Sequence, residues 1–438
     1  MRSLVLAASV LALIPFAVPA DAVTAKKPVS GTAQKKKAKS KSTPGPVPRA
    51  EIEEPQELAA FFERLRDVER GETETLRILW FGDSHVAADL FTGHARKLLQ
   101  ARFGDAGPGL VMPGNPWRYF RHDRARSRGD GGFETVGLGR DQVENLVGFW
   151  GVALLPRAAG SAGVEAVFSR SEVVALAPSG EGCLSVAVDG ITSFAGDVGA
   201  AVDGETGTPC ARVDGAVLRN GGVVAFVVPE PASEGAHSLE IRDACGGAVR
   251  ILAADLTSGR PGILLDSIGI NGAEIGMLGR PDRELRRALI ERVDPALVVV
   301  SFGTNDMGRG DLVEEDYRAE ASALLRDFRE DAPGAAVLVT GPPDRASRSR
   351  RVSRLLAGSE PLVLRSLRAA ARENRAAFFD QRAAMGGDGS IRSWSRKKLA
   401  ARDLVHLSRA GYEKLAEEIV GKLLSAYGAW LQGAEGGR

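Results

Sequence analysis

The sequence predicts an α/β fold, a three-layer α/β/α domain around a five-stranded parallel sheet, interrupted by an inserted antiparallel β-sandwich. Three observations predict it. Apolar runs at 77–81, 263–270, 296–302, 335–340 and 376–380 have the length and continuity of strands buried on both faces. Helical patterns stand between them, as parallel crossovers require. From about Gly129 to Arg260 the character changes to short β-branched runs separated by Gly, Asp and Asn, with hardly a helical period among them.

A chain of 438 residues is too long for one ordinary core and suits two domains plus extensions. With 44% hydrophobic and 26% charged residues, most of it can fold as a globule. The net charge of +1 argues against a general nucleic-acid binder, which needs a dominant cationic surface to displace counterions from phosphates.

Residues 1–22 read as a secretory signal: Arg2 gives positive charge, 4–18 form an apolar core, and Ala20 and Ala22 offer cleavage sites. Pro15 and Pro19 make this a poor spanning helix, and no later stretch is long and apolar enough to span a membrane. The expected location is therefore outside the cytoplasm, in the periplasm or cell envelope. Residues 23–50 are rich in Lys, Ser, Thr, Pro and Gly, centred on Lys35-Lys36-Lys37, and are expected to be a disordered tether.

The first part of the α/β domain is expected over 51–128. Pro55 suits a first helical turn, and Leu58, Phe61, Phe62, Leu65 and Val68 follow at helical spacing up to Gly71. The 77–81 strand runs into Gly82-Asp83-Ser84, and a helix over 90–103 closes at Gly104. The insert is expected over 129–260. There Leu184, Val186 and Val188 alternate with Ser185, Ala187 and Asp189, and Asp189-Gly190, Asn220-Gly221 and Gly246-Gly247 are hairpin signals. All 3 cysteines, Cys183, Cys210 and Cys245, fall in it. In an oxidising compartment one pair can form a disulfide, and spacing alone leaves the pair open. The α/β pattern resumes over 261–430, with helices over 283–291 and 362–373. The closing helix begins near Ser408 and carries Leu415, Ile419, Val420, Leu423 and Leu424.

Ligands of open parallel sheets bind beyond the carboxyl ends of the strands. Three polar clusters fall there: Gly82-Asp83-Ser84, Gly303-Thr304-Asn305-Asp306 and Asp403-Leu404-Val405-His406. A serine hydroxyl is a weak nucleophile at neutral pH and needs a base held in the right tautomer by a carboxylate. Of the 5 histidines, His85 adjoins Ser84 and should point elsewhere; His94 is on a helix, His122 in an Arg-rich loop and His237 in the insert. Only His406 combines a nearby carboxylate, Asp403, with a place in the loop before a helix of the α/β domain. A metal site is not expected, since paired His spacing is absent, and no cofactor motif is present. The arginines from Arg345 to Arg354 read as a solvated face or an attractor of anionic glycan. Trp117 and Trp394 read as packing residues or sugar-stacking platforms.

These residues resemble the SGNH hydrolases of the GDSL family, with Gly82-Asp83-Ser84 as first block, Gly303-x-Asn305-Asp306 as third and Asp403-x-x-His406 as fifth, in the family's order. A more specific resemblance is to the peptidoglycan O-acetylesterases of Gram-negative bacteria. It rests on the signal, the Gly82-Asp83-Ser84-His85 block, the insert resembling a family 35 carbohydrate-binding module, and Gly269-Ile270-Asn271-Gly272-Ala273 as second block. The tail Gly386-Gly387-Asp388-Gly389-Ser390, Trp394 and Asp403-Leu404-Val405-His406-Leu407 also resembles theirs. The resemblance implies a serine esterase acting through an acyl-serine on O-acetylated peptidoglycan or a related glycan, with Ser84 as nucleophile, His406 as base and Asp403 orienting it. It implies an oxyanion hole from the N–H groups of Ser84 and Gly272 and the amide of Asn305; Gly269 and Gly276 compete for the place of Gly272. The same triad would serve an O-acetyltransferase, and a noncatalytic wall-glycan-binding protein is the alternative from another class.

Overall fold

Strand β1 (Thr75–Gly82) buries every residue after Thr75, so it needs cover on both faces. A computed structural model describes residues 50–137, 144–157, 160–202, 211–219, 221–229, 232–245 and 249–436. The expected signal, all of the expected tether but Ala50, and Cys210 lie outside the described residues. β1 runs between two parallel partners, β2 (Gly262–Gly269) and β3 (Leu297–Ser301), and β4 (Ala336–Gly341) and β5 (Ala377–Asp380) extend the sheet in the order β5-β4-β3-β1-β2. All five expected parallel strands are present. Beyond β5 lies a two-residue antiparallel strand, Ile52–Glu53, too short to show a period in the sequence.

The two-residue alternation of the strands divides the core. Leu76, Ile78 and Trp80 face one side, covered by α1 (Ala59–Glu69), by α3 (Phe91–Phe103), which follows the short α2 (Ser84–Ala87), and by the closing helix. Leu79 and Phe81 face the other, covered by α4 (Arg283–Val293), α5 (Glu314–Asp331) and α6 (Arg350–Glu373). The closing helix, α7, spans Arg409–Gly436. α6 departs from expectation. Its sequence pattern is broken by Pro361, and the expected helix begins after it, but the helix starts at Arg350 and runs through the proline. An interior proline costs about 3 kcal/mol. Burial of Leu356 on the same face as Val363 and Leu367 offsets that, as do the Ser349 cap and the 2.7 Å bond from the Ser359 hydroxyl to the Met307 carbonyl.

The insert is a sandwich of two antiparallel sheets. One runs Ile191–Asp197, Cys183–Val188, Gly235–Asp243, Ser161–Phe168, Ala125–Gly129. The other runs Ala211–Val217, Val223–Pro229, Arg170–Ala177, Arg250–Thr257, Val152–Pro156, Phe133–Gly137, with Gly109–Val111 also paired to Arg250–Thr257. It thus begins ahead of the boundary expected at 129. The strand Ala125–Gly129 is Ala-Arg-Ser-Arg-Gly, so it carries no apolar signal. Arg77 of β1 ties the two parts together: it donates at 3.0 Å to Asp266 of β2 and at 2.6 Å to Asp255 of the sandwich. The other oxygen of Asp266 accepts the Leu110 N–H at 2.7 Å. Among the described residues no helix is long and apolar enough to cross a membrane.

Cys183 and Cys245 form a disulfide, which resolves the pairing that spacing left open. It joins the start of the strand Cys183–Val188 to the bend that follows Gly235–Asp243, across 62 residues of sequence. By loop-closure entropy that cross-link is worth about 4 kcal/mol. Replacing both cysteines by serine should lower the urea midpoint of the sandwich accordingly, and an unchanged midpoint would show that the bond is redundant.

Candidate active site

β1 ends at Gly82, directly opposite Gly269 of β2 and Ser301 of β3. Three loops therefore leave the carboxyl ends of adjacent strands at one level. Neither glycine has room for a side chain: a Cβ on Gly82 would lie 2.3 Å from Val86 Cγ2, and one on Gly269 would lie 2.0 Å from the Ala87 nitrogen. That close approach seats α2 on the strand ends. Asp83, not Ser84, caps α2, its Oδ1 accepting the His85 N–H at 2.9 Å. The Ser84 hydroxyl is left for another partner.

That partner is His406, whose Nε2 lies 2.9 Å from Ser84 Oγ. Nδ1 of the same ring lies 2.8 Å from Asp403 Oδ2. The other oxygen of Asp403 accepts the N–H groups of Val405 and His406, at 2.9 and 3.1 Å, so one tight turn fixes both side chains. Leu404 closes that turn with φ 61°, in the left-handed region. Burial works to raise the Asp403 carboxyl, but the hydrogen bonds from His406 and Val405 hold it below the ordinary value. The pair is open to solvent, with 43% of the His406 side chain and 49% of the Asp403 side chain exposed.

The remaining loops supply donors. Asn305 Nδ2 gives one hydrogen to the Ala273 carbonyl at 2.9 Å, which orients the amide, and its second hydrogen meets no acceptor among the described residues. Asp306 accepts the Ile275 N–H at 3.1 Å, binding the third loop to the second, and burial pushes its carboxyl up to about 7. The three competing glycines differ in surroundings. Gly269 packs against α2, and a Cβ at Gly276 would lie 2.0 Å from Glu320 Oε1, whereas Gly272 faces open space at φ 77°. The N–H groups of Gly272 and Ser84 meet no acceptor among the described residues.

His85 is buried beside this group, its ring 5.4 Å from that of His406 and its Nδ1 2.9 Å from the Tyr412 hydroxyl. Burial, with the charges of His406 and Arg345, lowers its pKa to about 3, so it is a neutral wall behind the His406 ring. Arg345 corrects the expectation of a solvated arginine face. It is half-buried and donates to the Thr304 carbonyl, with its charge acting on Asp83 and Asp403. Its position just after β4 was the one available signal, because that places it at the sheet's carboxyl end. Trp394 is a core residue donating to the Met385 carbonyl at 2.8 Å, while Trp117 stands half-exposed and donates to Asn271 at 3.2 Å. His94 lies near Glu417, the His122 ring accepts the Arg124 N–H, and His237 pairs with Asp189 in the sandwich, all apart from Ser84. Among the described residues no group of three or more His, Cys, Asp or Glu is placed to hold a metal ion.

Residues 235–414 match the GDSL-like Lipase/Acylhydrolase family, a stretch that holds Gly272, Asn305, Asp403 and His406 and excludes Ser84. Among solved structures, a peptidoglycan O-acetylesterase is 24% identical over 84% of this chain and 96% of its own, with a TM-score of 0.66. A lipase/acylhydrolase from Enterococcus faecalis is 22% identical over 37% of this chain and 76% of its own, with a TM-score of 0.30. A family two carbohydrate esterase from Clostridium thermocellum, solved with cellohexaose, is 14% identical over 67% and 99%, with a TM-score of 0.28. No curated protein matches the sequence. The fold is thus SGNH/GDSL-like, with the sandwich inserted.

Buried Asp83 makes stability depend on pH. Burial raises its pKa from 3.8 to about 6, against the opposing hydrogen bond from His85. A carboxyl whose folded pKa is raised stabilises the fold while protonated, and that stability is lost as pH rises from about 4 to about 6. Asp83→Asn keeps an acceptor for the His85 N–H and cannot ionise. Its unfolding free energy should therefore exceed that of the wild type by up to about 3 kcal/mol above pH 6 and converge with it near pH 4. Parallel curves over that range would refute this account of Asp83.

Proposed function

We propose that the protein is an exported serine esterase that removes O-acetyl groups from cell-wall glycan, the O-acetyl esters of peptidoglycan above all. The observation that carries this reading is the continuous contact Ser84–His406–Asp403 at the carboxyl ends of the strands, with unused donors on adjacent loops. Ser84 Oγ attacks the acetyl carbonyl as its proton passes to His406 Nε2, and Asp403 holds the imidazolium through Nδ1. The oxyanion is met by the N–H groups of Ser84 and Gly272 and the free hydrogen of Asn305. Collapse expels the sugar hydroxyl, which takes the proton from His406. Water then attacks the acetyl-serine, giving its proton to the same nitrogen, and acetate leaves as Ser84 recovers its hydroxyl.

The substrate class rests on two supports. The fold likeness covers almost the whole of a solved peptidoglycan O-acetylesterase, sandwich included. The base and its carboxylate stand nearly half exposed, an opening that suits an ester projecting from a polymer better than a lipid chain needing an apolar tunnel. The sandwich would act as a carbohydrate-binding module of the family 35 type, holding the glycan while Ser84 reacts.

Purified protein should release acetate from O-acetylated peptidoglycan, and Ser84→Ala should reduce that to background. Release by Ser84→Ala at the wild-type rate would falsify the nucleophile. Asn305→Ala, read on the same substrate, should lower kcat by about 10²–10³ with little change in KM, the signature of a donor used in the transition state.

A further inference from the structure

The segment from Gly114 to Ser127 joins the Gly109–Val111 strand to the first strand of the sandwich and carries Arg118, Arg121, Arg124 and Arg126 against a single acid, Asp123. It folds around a cavity of about 450 Å³. Trp117 and Phe120 form an apolar wall, with rings edge-on at 5.0 Å. Arg118, Arg121 and Arg126 are its charged lining, beside Asn115 and His122, and among the described residues none of the three arginines makes an ion pair. Their neighbours do: Arg124 pairs with Asp105 and Arg128 with Glu165. Side chains bonded to backbone carbonyls fix the walls of the cavity. The Arg121 guanidinium donates to the carbonyls of Arg118 and Phe120, at 3.2 and 2.6 Å, and Ser127 donates to the Met112 carbonyl at 2.6 Å.

Trp117 connects this cavity to the reacting centre. Its Nε1 donates to Asn271 Oδ1 at 3.2 Å, and Asn271 precedes Gly272. One side of the indole thus belongs to the arginine cavity and its polar edge to the loop beside Ser84. Three guanidiniums without an ion-pair partner among the described residues, around an aromatic wall, suit a carboxylate, which takes paired N–H donors from arginine, next to a sugar ring, which stacks on indole.

We infer that this cavity is a subsite for a carboxylate of the same polymer whose acetyl ester lies at Ser84, with Trp117 stacking the sugar between them. The inference rests on the esterase reading and adds the substrate's charge to it. The carboxylate can come from a sugar acid or from an attached peptide, and the guanidiniums read the group common to both.

The test uses the full chain carrying Arg118→Gln, Arg121→Gln and Arg126→Gln together, with the triple lysine variant as control. The substrates are an O-acetylated disaccharide–peptide from peptidoglycan, the same disaccharide without peptide, the disaccharide–peptide with its carboxylates amidated, and the neutral ester 4-nitrophenyl acetate. The glutamine variant should raise KM at least tenfold on the ester that supplies the carboxylate, with the loss in kcat/KM at least tenfold larger there than on the neutral or amidated ester. The lysine variant should recover most of it. Whichever of the peptide-bearing and peptide-free disaccharides shows the rise names the source of the carboxylate. An unchanged KM on both, or equal losses on charged and neutral esters, overturns the subsite. Binding of the deacetylated disaccharide–peptide to Ser84→Ala protein, with and without the three glutamines, separates the two readings. Arginine-dependent binding without acetate release by the wild type sinks the esterase and keeps the subsite, and acetate release without arginine dependence sinks the subsite alone.

Discussion

Everything at the candidate site depends on the register of one strand. Because Gly82 stands level with Gly269 and Ser301, the loops carrying Ser84, Gly272 and Asn305 start from the same height on the sheet. A slip of one residue would reverse the faces of β1, driving Leu79 and Phe81 into the core built for Ile78 and Trp80. The two hydrophobic cores thus fix the register, and the register fixes the chemistry. The glycines at the strand ends serve the same end, since only their bare backbone lets α2 descend onto the sheet and point Ser84 across to the last loop.

Charge around this junction is arranged in depth. Asp83 and Asp306 lie beneath it, both pushed by burial towards holding a proton, and each accepts a backbone N–H that shapes a loop. Asp403 lies at the surface, where hydrogen bonds keep it ionised beside His406. Arg345 sits between, bracing the Thr304 carbonyl and setting a positive charge near both Asp83 and Asp403. Carboxylates of one residue type therefore take different parts according to depth: the buried ones build loops, and the exposed one holds a ring.

Much of this was legible in the sequence because each strand of a parallel sheet is apolar on both faces, and five such runs stand out without help. The polar clusters after them were legible for the same reason, since chemistry collects where the apolar runs stop. Other features were hidden by their physics. The strand Ala125–Gly129 is polar and the Ile52–Glu53 strand too short, so neither carries a period. Pro361 misleads because tertiary burial of Leu356 outweighs a local penalty. The choice of cysteine partner for Cys183 and the part played by Arg345 depend on contacts between residues far apart in the chain. The surroundings of Gly269, Gly272 and Gly276 do too, and no window of sequence contains them.

The Arg77 bridge between β1, β2 and the sandwich bears on how the chain assembles. β1 and β2 are immediate neighbours in the sheet, yet about 180 residues separate Gly82 from Gly262. Closing so long a loop is entropically unfavourable until something within it has already contracted. The sandwich does that contracting: when Gly109–Val111 pairs with Arg250–Thr257, both ends of the insert arrive together beside Asp105 and Ile263, themselves bridged. Pairing of β1 with β2 therefore costs least entropy once the sandwich has formed. During synthesis β1 leaves the ribosome ahead of both its partners in the sheet, so its apolar side chains have no strand to pair with until β2 and β3 follow.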